Sequence, residues 1–131
     1  MTSSRTRRTV SRALALTAMP GLVLATSLAT APAAHAAWST QHTFHGAKVQ
    51  VCKTANGQRL KVRVDNRRGS HAHTGSVNVG EAYVQVRAAA GRISGTKAIA
   101  FAPGDDLSWG GGEAAGIHFG DMIVLRKVSR C

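Results

Sequence analysis

The sequence predicts an all-β fold, a small antiparallel β-sandwich of about six or seven strands. Apolar residues alternate with polar residues in several segments, which is the pattern of half-buried strands. Turn residues, mostly glycine, recur about every ten positions, which is the spacing expected of a small sandwich. After residue 36, no segment has the periodicity of an amphipathic helix. These observations favour strands joined by short turns.

Residues 1–36 have the pattern of a secretion signal peptide that is cleaved on export. Four arginines precede a short apolar run over 13–28, and an Ala-x-Ala cleavage pattern stands at 34–36. The run is interrupted by Pro20 and is shorter than the roughly 20 residues of a membrane span. We therefore expect a single secreted domain over residues 37–131, of bacterial type and without a membrane span.

The composition of this mature part is that of a small, basic, globular domain. Removing 36 of the 131 residues leaves 95, which excludes a large multidomain enzyme. Four of the 17 Lys and Arg residues lie in the predicted signal. The mature part therefore has 13 basic and six acidic side chains, and its formal charge is +7. A basic extracellular domain attracts anionic polymers and surfaces.

The first predicted element is a β-hairpin over residues 48–65. Valines at 49 and 51, and apolar residues at 60, 62 and 64, alternate with polar residues. Between the two runs stands Asn56-Gly57, the pair that best tolerates the positive φ angles of a tight hairpin turn. We predict two antiparallel strands that each bury one face.

The remaining strands are predicted from shorter patterns. Val77 and Val79 mark one strand, residues 82–86 another and residues 98–102 a third. The uninterrupted apolar run over 122–125 predicts an interior strand covered on both faces. Residues 105–120 contain three consecutive glycines and are expected to form a flexible loop.

The two cysteines, Cys52 and Cys131, are expected to form one disulfide, because the chain is bound for an oxidising compartment. By the alternation of its strand, Cys52 points away from the core, so the bridge is expected near the surface. The architecture is expected to be immunoglobulin-like. A true immunoglobulin domain is excluded, because Trp38 precedes the first strand and Trp109 falls in the glycine-rich segment, so neither matches the mid-core tryptophan of that family.

A stripe of positive charge is the first candidate site. Arg59, Lys61 and Arg63 are spaced by two, so they project from one face of one strand, and Arg67 and Arg68 follow at its end. Such a face binds anionic polymers through a salt-sensitive term that does not depend on sequence. The alternative interpretation is a solvated strand face that confers solubility and blocks edge pairing.

A second candidate site is Trp109 in the predicted loop, where a tryptophan could anchor a secreted protein partner. The alternative is that its ring closes one end of the core. Sequence-specific nucleic-acid binding is not expected, because the mature chain has few aromatic residues for base stacking.

Two other functions are compatible with the residue types present. His71 and His73 would project to one side of an extended segment and could chelate copper or zinc, although exposed loop histidines are the simpler interpretation. A small ribonuclease-like hydrolase could use Glu113 as base and His118 as acid. No hydrolase or nucleotide-binding motif accompanies these residues.

The sequence thus predicts a small secreted basic binding protein that is not catalytic, needs no cofactor and is monomeric. Its expected partner is an anionic cell-wall polymer, another polyanion or a secreted protein. No family resemblance is close enough to transfer a function.

Overall fold

The computed structural model describes residues 37–131, and these form nine strands without an α-helix. The predicted signal peptide lies outside the described residues. The prediction of an all-β antiparallel sandwich is confirmed, with more strands than expected. The strands are β1 Ser39–Phe44, β2 Ala47–Lys53, β3 Arg59–Asn66, β4 His73–Val79, β5 Ala82–Ala88, β6 Arg92–Ile93, β7 Lys97–Ala100, β8 Leu107–Glu113 and β9 His118–Met122.

The strands form two antiparallel sheets. The first has the order β1-β2-β3, and β6 and β7 both pair with the far edge of β3. The second has the order β5-β4-β8-β9. The chain crosses from one sheet to the other after β3, after β5 and after β7. A core of valines, alanines, leucines and Trp109 fills the space between the sheets.

The predicted hairpin is confirmed as β2 and β3. Val49 pairs with Val64 and Val51 with Val62, so their side chains share the inner face. Along β3 every second residue is buried, as the alternation predicts. Gly57 has φ +71° in the turn between the strands, a conformation that glycine adopts without steric cost.

Several strand bounds differ from the prediction, and strands β1 and β6 lie where none was predicted. The strand predicted over 82–86 is extended to Ala82–Ala88. The strand around Val77 begins earlier, at His73, and the strand predicted over 98–102 is displaced to Lys97–Ala100. Strand β1 lacks the valine alternation and was not predicted. It joins β2 through the two-residue turn His45-Gly46, in which both residues have positive φ.

The predicted flexible loop over 105–120 is wrong, because most of this segment forms the hairpin of β8 and β9. The reason is a close approach of the two sheets. A Cβ on Gly111 would lie 2.5 Å from Val49 Cγ2, so the glycine lets the valine pack against the bare backbone of β8. Trp109 is only 7% exposed and lies in the core.

The predicted interior strand over 122–125 is also wrong. Met122 ends the edge strand β9 with 56% of its surface exposed, and Leu125–Lys127 form a single 3-10 turn. Only Ile123 of the apolar run is buried, and its backbone N–H donates to the carbonyl of Leu107. The run therefore ends a strand and crosses the end of the core instead of continuing a sheet.

The disulfide between Cys52 and Cys131 is confirmed, and it lies on the outer face of its sheet, as expected: Cys52 pairs with the outward-facing Lys61, and Cys131 is half-buried. Cys52 has no exposed surface. The backbone N–H groups of Lys53 and Cys131 donate to the carbonyls of Ser129 and Lys53, respectively. These bonds hold the C-terminal segment along the end of β2, and the segment covers the sulfur from the outside. A disulfide of this kind persists in an oxidising compartment.

Candidate functional site

Positive charge is concentrated in one of the two sheets. The strands of the first sheet contain seven Lys or Arg residues and one carboxylate, whereas those of the second contain one arginine and two carboxylates. The charged residues of the first sheet are Lys48, Lys53, Arg59, Lys61, Arg63, Asp65, Arg92 and Lys97. The electrostatic potential around the domain is therefore strongly asymmetric.

The structure places the three residues of the predicted stripe on the outer face of β3. Arg59 is exposed, Lys61 and Arg63 are half-buried, and the residues between them are fully buried in the core. Lys48 lies on the same face, because its register partner in β3 is Asp65. We use the term basic face for the outward residues Lys48, Arg59, Lys61 and Arg63 together with Arg68.

Arg63 has a structural role within the basic face. Its guanidinium lies over the ring of Trp38, 4.3 Å from the centroid, and its Nε donates to Gln50 Oε1 at 2.9 Å. Burial lowers the pKa of Arg63 from its ordinary value, although a guanidinium remains charged at neutral pH. Trp38, which the sequence left without a role, thus covers part of this face.

Arg67 forms an ion pair with Asp65. Its Nε and Nη2 donate to Asp65 Oδ1 and Oδ2 at 2.9 and 2.7 Å. These bonds lower the pKa of Asp65 to about 2, so the carboxylate is ionised and its charge offsets that of Arg67. Within residues 37–131, neither Lys48 nor Arg68 forms an ion pair.

A surface pocket of about 220 Å³ lies at the end of the basic face. Its lining is Gly46, Lys48, Asp65, Arg67 and Arg68. Gly46 touches the backbone of Arg68, so the β1–β2 turn and the connection after β3 meet here. The pocket offers two cations without a carboxylate partner, Lys48 and Arg68, to one anionic group.

Next to this pocket, three chain segments bring two histidines to one carboxylate. His45 Nδ1, in the β1–β2 turn, donates to Glu113 Oε1 at 2.6 Å. His71 Nδ1, in the connection after β3, lies 3.6 Å from the same oxygen. The hydrogen bond from His45, followed by the charges of the neighbouring histidines, lowers the pKa of Glu113 from its ordinary value. We call these three residues the His–Glu cluster.

The predicted chelating pair His71 and His73 does not form. His71 lies in a turn with 67% of its side chain exposed, whereas His73 begins β4 and is 2% exposed. The chain bends at Ser70 and His71 before β4 begins, and the two rings occupy different environments. Residues 37–131 contain no group of three or more His, Cys, Asp or Glu side chains placed to hold a metal ion.

The predicted pairing of Glu113 with His118 is not observed either. His118 is exposed at the start of β9, opposite Gly112, and Glu113 contacts His45 and His71 instead. The predicted partner site at Trp109 is also corrected. The ring of Trp109 is buried and stacks against His42 at 5.3 Å, so it cannot anchor a partner.

Sequence reasoning missed His45 and the role of Glu113. They are 68 positions apart. They come together only because the sheet that contains β1 packs against the sheet that contains β8. One local signal was present: His-Gly between two short runs can form a two-residue hairpin turn, since histidine is among the side chains enriched at positive φ.

Comparison with known proteins supplies no relative for this domain. Neither a protein-family model, nor a curated protein, nor a solved structure matches the chain. Within residues 37–131, no helix is long and apolar enough to cross a membrane.

Proposed function

We propose that this protein is a secreted domain that binds an anionic polymer across its basic face. The observation that carries the proposal is the segregation of charge, with seven cations in the strands of one sheet and one in the strands of the other. Secretion is proposed from the signal-like pattern of residues 1–36 and is supported by the disulfide, which an oxidising compartment maintains.

The groups best placed to bind the polymer are Arg59 and Lys61. They form no ion pair within the described residues and project from alternate positions of one strand. Alternate residues of a strand are about 6.6 Å apart, so an extended polymer can offer successive anionic groups to successive side chains. Lys48 and Arg68 continue this track into the pocket at its end.

The competing interpretation is that the basic face only confers solubility. A solubility surface needs charge but no particular placement, so moving the charge elsewhere would not matter. A binding face needs its cations together on one surface. Variants that remove equal charge from the basic face and from elsewhere on the surface therefore distinguish the two interpretations.

The test compares two double variants that each remove two positive charges. Arg59→Gln/Lys61→Gln alters the basic face, and Arg87→Gln/Arg126→Gln alters exposed positions outside it. Binding of each protein to heparin and to a fluorescent oligodeoxythymidylate is measured by fluorescence anisotropy over a salt series. For the oligonucleotide, the slope of log K against log salt should fall by about 0.7 for each cation removed from contact.

We expect the basic-face variant to bind at least 10-fold more weakly with a reduced salt slope, and the control variant to bind much as the natural protein does. Equal losses of affinity in the two variants would show that binding depends only on net charge and would contradict the proposal. Binding that resists high salt would also contradict it, because it would point to a protein-like interface.

A further inference from the structure

The His–Glu cluster has the arrangement that acid–base chemistry requires. Glu113 Oε1 faces the Nδ1 atoms of both His45 and His71, at 2.6 and 3.6 Å. The carboxylate hydrogen-bonded to His45 keeps a proton on Nδ1 and leaves Nε2 to exchange a proton with another molecule, and Nδ1 of His71 is in hydrogen-bond contact with Ser70 Oγ at 3.0 Å. The side chains of His45 and His71 are 59% and 67% exposed, so a dissolved molecule can reach both rings.

The backbone holds His45 in an uncommon conformation at this cluster. Its φ of +44° makes it the one non-glycine residue with positive φ among those described. Such a conformation is unfavourable for a residue with a Cβ and persists only where surrounding contacts enforce it. Here the ring of Phe44 stacks on the imidazole at 3.9 Å between centroids, and Glu113 Oε1 accepts a hydrogen bond from its Nδ1. The imidazole is therefore positioned before any ligand arrives.

The cluster adjoins the cationic pocket. Gly46, which lines the pocket, follows His45 directly in the same two-residue turn. Arg68, which also lines the pocket, is only three residues from His71. Lys48 and Arg68, which can bind a phosphate, thus each lie three residues along the chain from one of the two imidazoles, which can accept and donate protons. Transfer of a phosphoryl group between oxygens needs such a set of groups.

We propose that the His–Glu cluster is a general acid–base site that cleaves single-stranded RNA held on the basic face. Neutral His45 takes the proton of a ribose 2′-hydroxyl, and the oxygen attacks the adjacent phosphorus. As the O2′–P bond forms, the P–O5′ bond breaks and its electron pair goes to O5′, which protonated His71 protonates. The products are a 2′,3′-cyclic phosphate and a 5′-hydroxyl. The imidazoles regain their original protonation by exchange with water.

Each group of the site has one role in this reaction. Glu113 is a positioning residue: it orients the ring of His45 through their hydrogen bond and stabilises the imidazolium that His45 becomes, whereas Ser70 Oγ contacts Nδ1 of His71 at 3.0 Å. Lys48 and Arg68 bind the phosphate and neutralise the charge that develops on its oxygens. The reaction rests on the proposed polymer binding, because the basic face brings the chain to the cluster.

The test uses a short single-stranded RNA of mixed sequence and its 2′-deoxy counterpart, which lacks the attacking hydroxyl. The variants are His45→Asn, whose side chain tolerates positive φ but is too short to reach Glu113, and His71→Ala at an exposed position. His118→Ala is the matched control, since it removes an exposed histidine outside the cluster. All proteins are purified identically, and their binding to the 2′-deoxy strand is measured in parallel.

We expect cleavage of the RNA to products ending in a 2′,3′-cyclic phosphate, and no cleavage of the 2′-deoxy strand. Each cluster variant should lose at least about 100-fold in rate while keeping its affinity for the 2′-deoxy strand, and His118→Ala should match the natural protein. Absence of cleavage while binding is intact would overturn the activity and leave the proposed binding function standing. Absence of binding would overturn both. Cleavage that persists in His45→Asn and His71→Ala would identify a contaminating nuclease and overturn the activity.

Discussion

Replacing Gly111 by alanine should destabilise the domain, because there is no room for a methyl group between the sheets. The added Cβ would lie 2.5 Å from Val49 Cγ2 and 2.8 Å from the carbonyl oxygen of Thr74. The second atom belongs to the backbone and cannot rotate away. Overpacking costs about 2–3 kcal/mol here, and alanine regains about 0.4–1 kcal/mol by restricting the unfolded chain. The net loss in free energy of unfolding should be about 1–2.5 kcal/mol.

Urea unfolding followed by tryptophan fluorescence measures this loss. Gly95→Ala is the matched control, since no atom lies within 4 Å of its added Cβ and its φ is not in the left-handed region. We expect Gly95→Ala to leave the free energy of unfolding unchanged or to raise it by up to about 1 kcal/mol. The midpoint of thermal unfolding should fall for Gly111→Ala by roughly 4 °C or more.

A second measurement assigns the loss to the contact with Val49. In a Val49→Ala background the Cγ2 atom is gone, so Gly111→Ala should cost at least about 0.5 kcal/mol less than in the natural protein. Strict additivity of the two substitutions would refute this contact. A neutral or stabilising Gly111→Ala would refute the strand itself, because that result is typical of a glycine in a flexible loop.

Three further predictions concern stability. Asn66→Ala should cost about 2–3 kcal/mol in urea unfolding, because the two N–H groups of its buried amide donate to backbone carbonyls, with those of His71, Ala88 and Ala89 all within reach. Asn78→Ala removes one half-buried hydrogen bond and should cost less than about 1.5 kcal/mol. The pKa of Asp65 is lowered to about 2 in the folded state, so its contribution is complete above pH 4 and is lost as the pH falls through 2. The natural protein should therefore lose up to about 1 kcal/mol more than Asp65→Asn between pH 5 and pH 2, and equal losses would show that the ion pair contributes nothing. Replacing Cys52 and Cys131 by alanine should lower the free energy of unfolding by about 4.5 kcal/mol, as measured by urea unfolding. A loss below about 1 kcal/mol would contradict a disulfide that restricts the unfolded chain.

Part of the fold was predictable because it is local. Alternation in β2 and β3, together with Asn56-Gly57, specifies a hairpin without reference to the rest of the chain. In contrast, β8 was mistaken for a loop because its three consecutive glycines have low strand propensity. For Gly111 the reason lies in the other sheet, where Val49 occupies the space that a side chain would need.

The candidate sites divide in the same way. The basic face was predictable, because alternate residues of one strand share a face wherever the strand lies. The His–Glu cluster was not predictable, because its three residues come from a turn, a connection and a strand end. Their spacing along the chain carries no periodic signal, and His71 was assigned a different neighbour by an extended geometry that the turn after β3 does not have.

The sequence by itself determined the fold class, the pairing of β2 with β3, the disulfide partners and the face on which Arg59 and Lys61 project. Each of these follows from short-range periodicity, turn chemistry or the count of cysteines. Only the tertiary structure decided that Trp109 is in the core, that Cys52 is covered and that His45 meets Glu113. These outcomes depend on how two sheets stack and where the chain crosses between them, and packing between distant segments leaves no trace in local pattern.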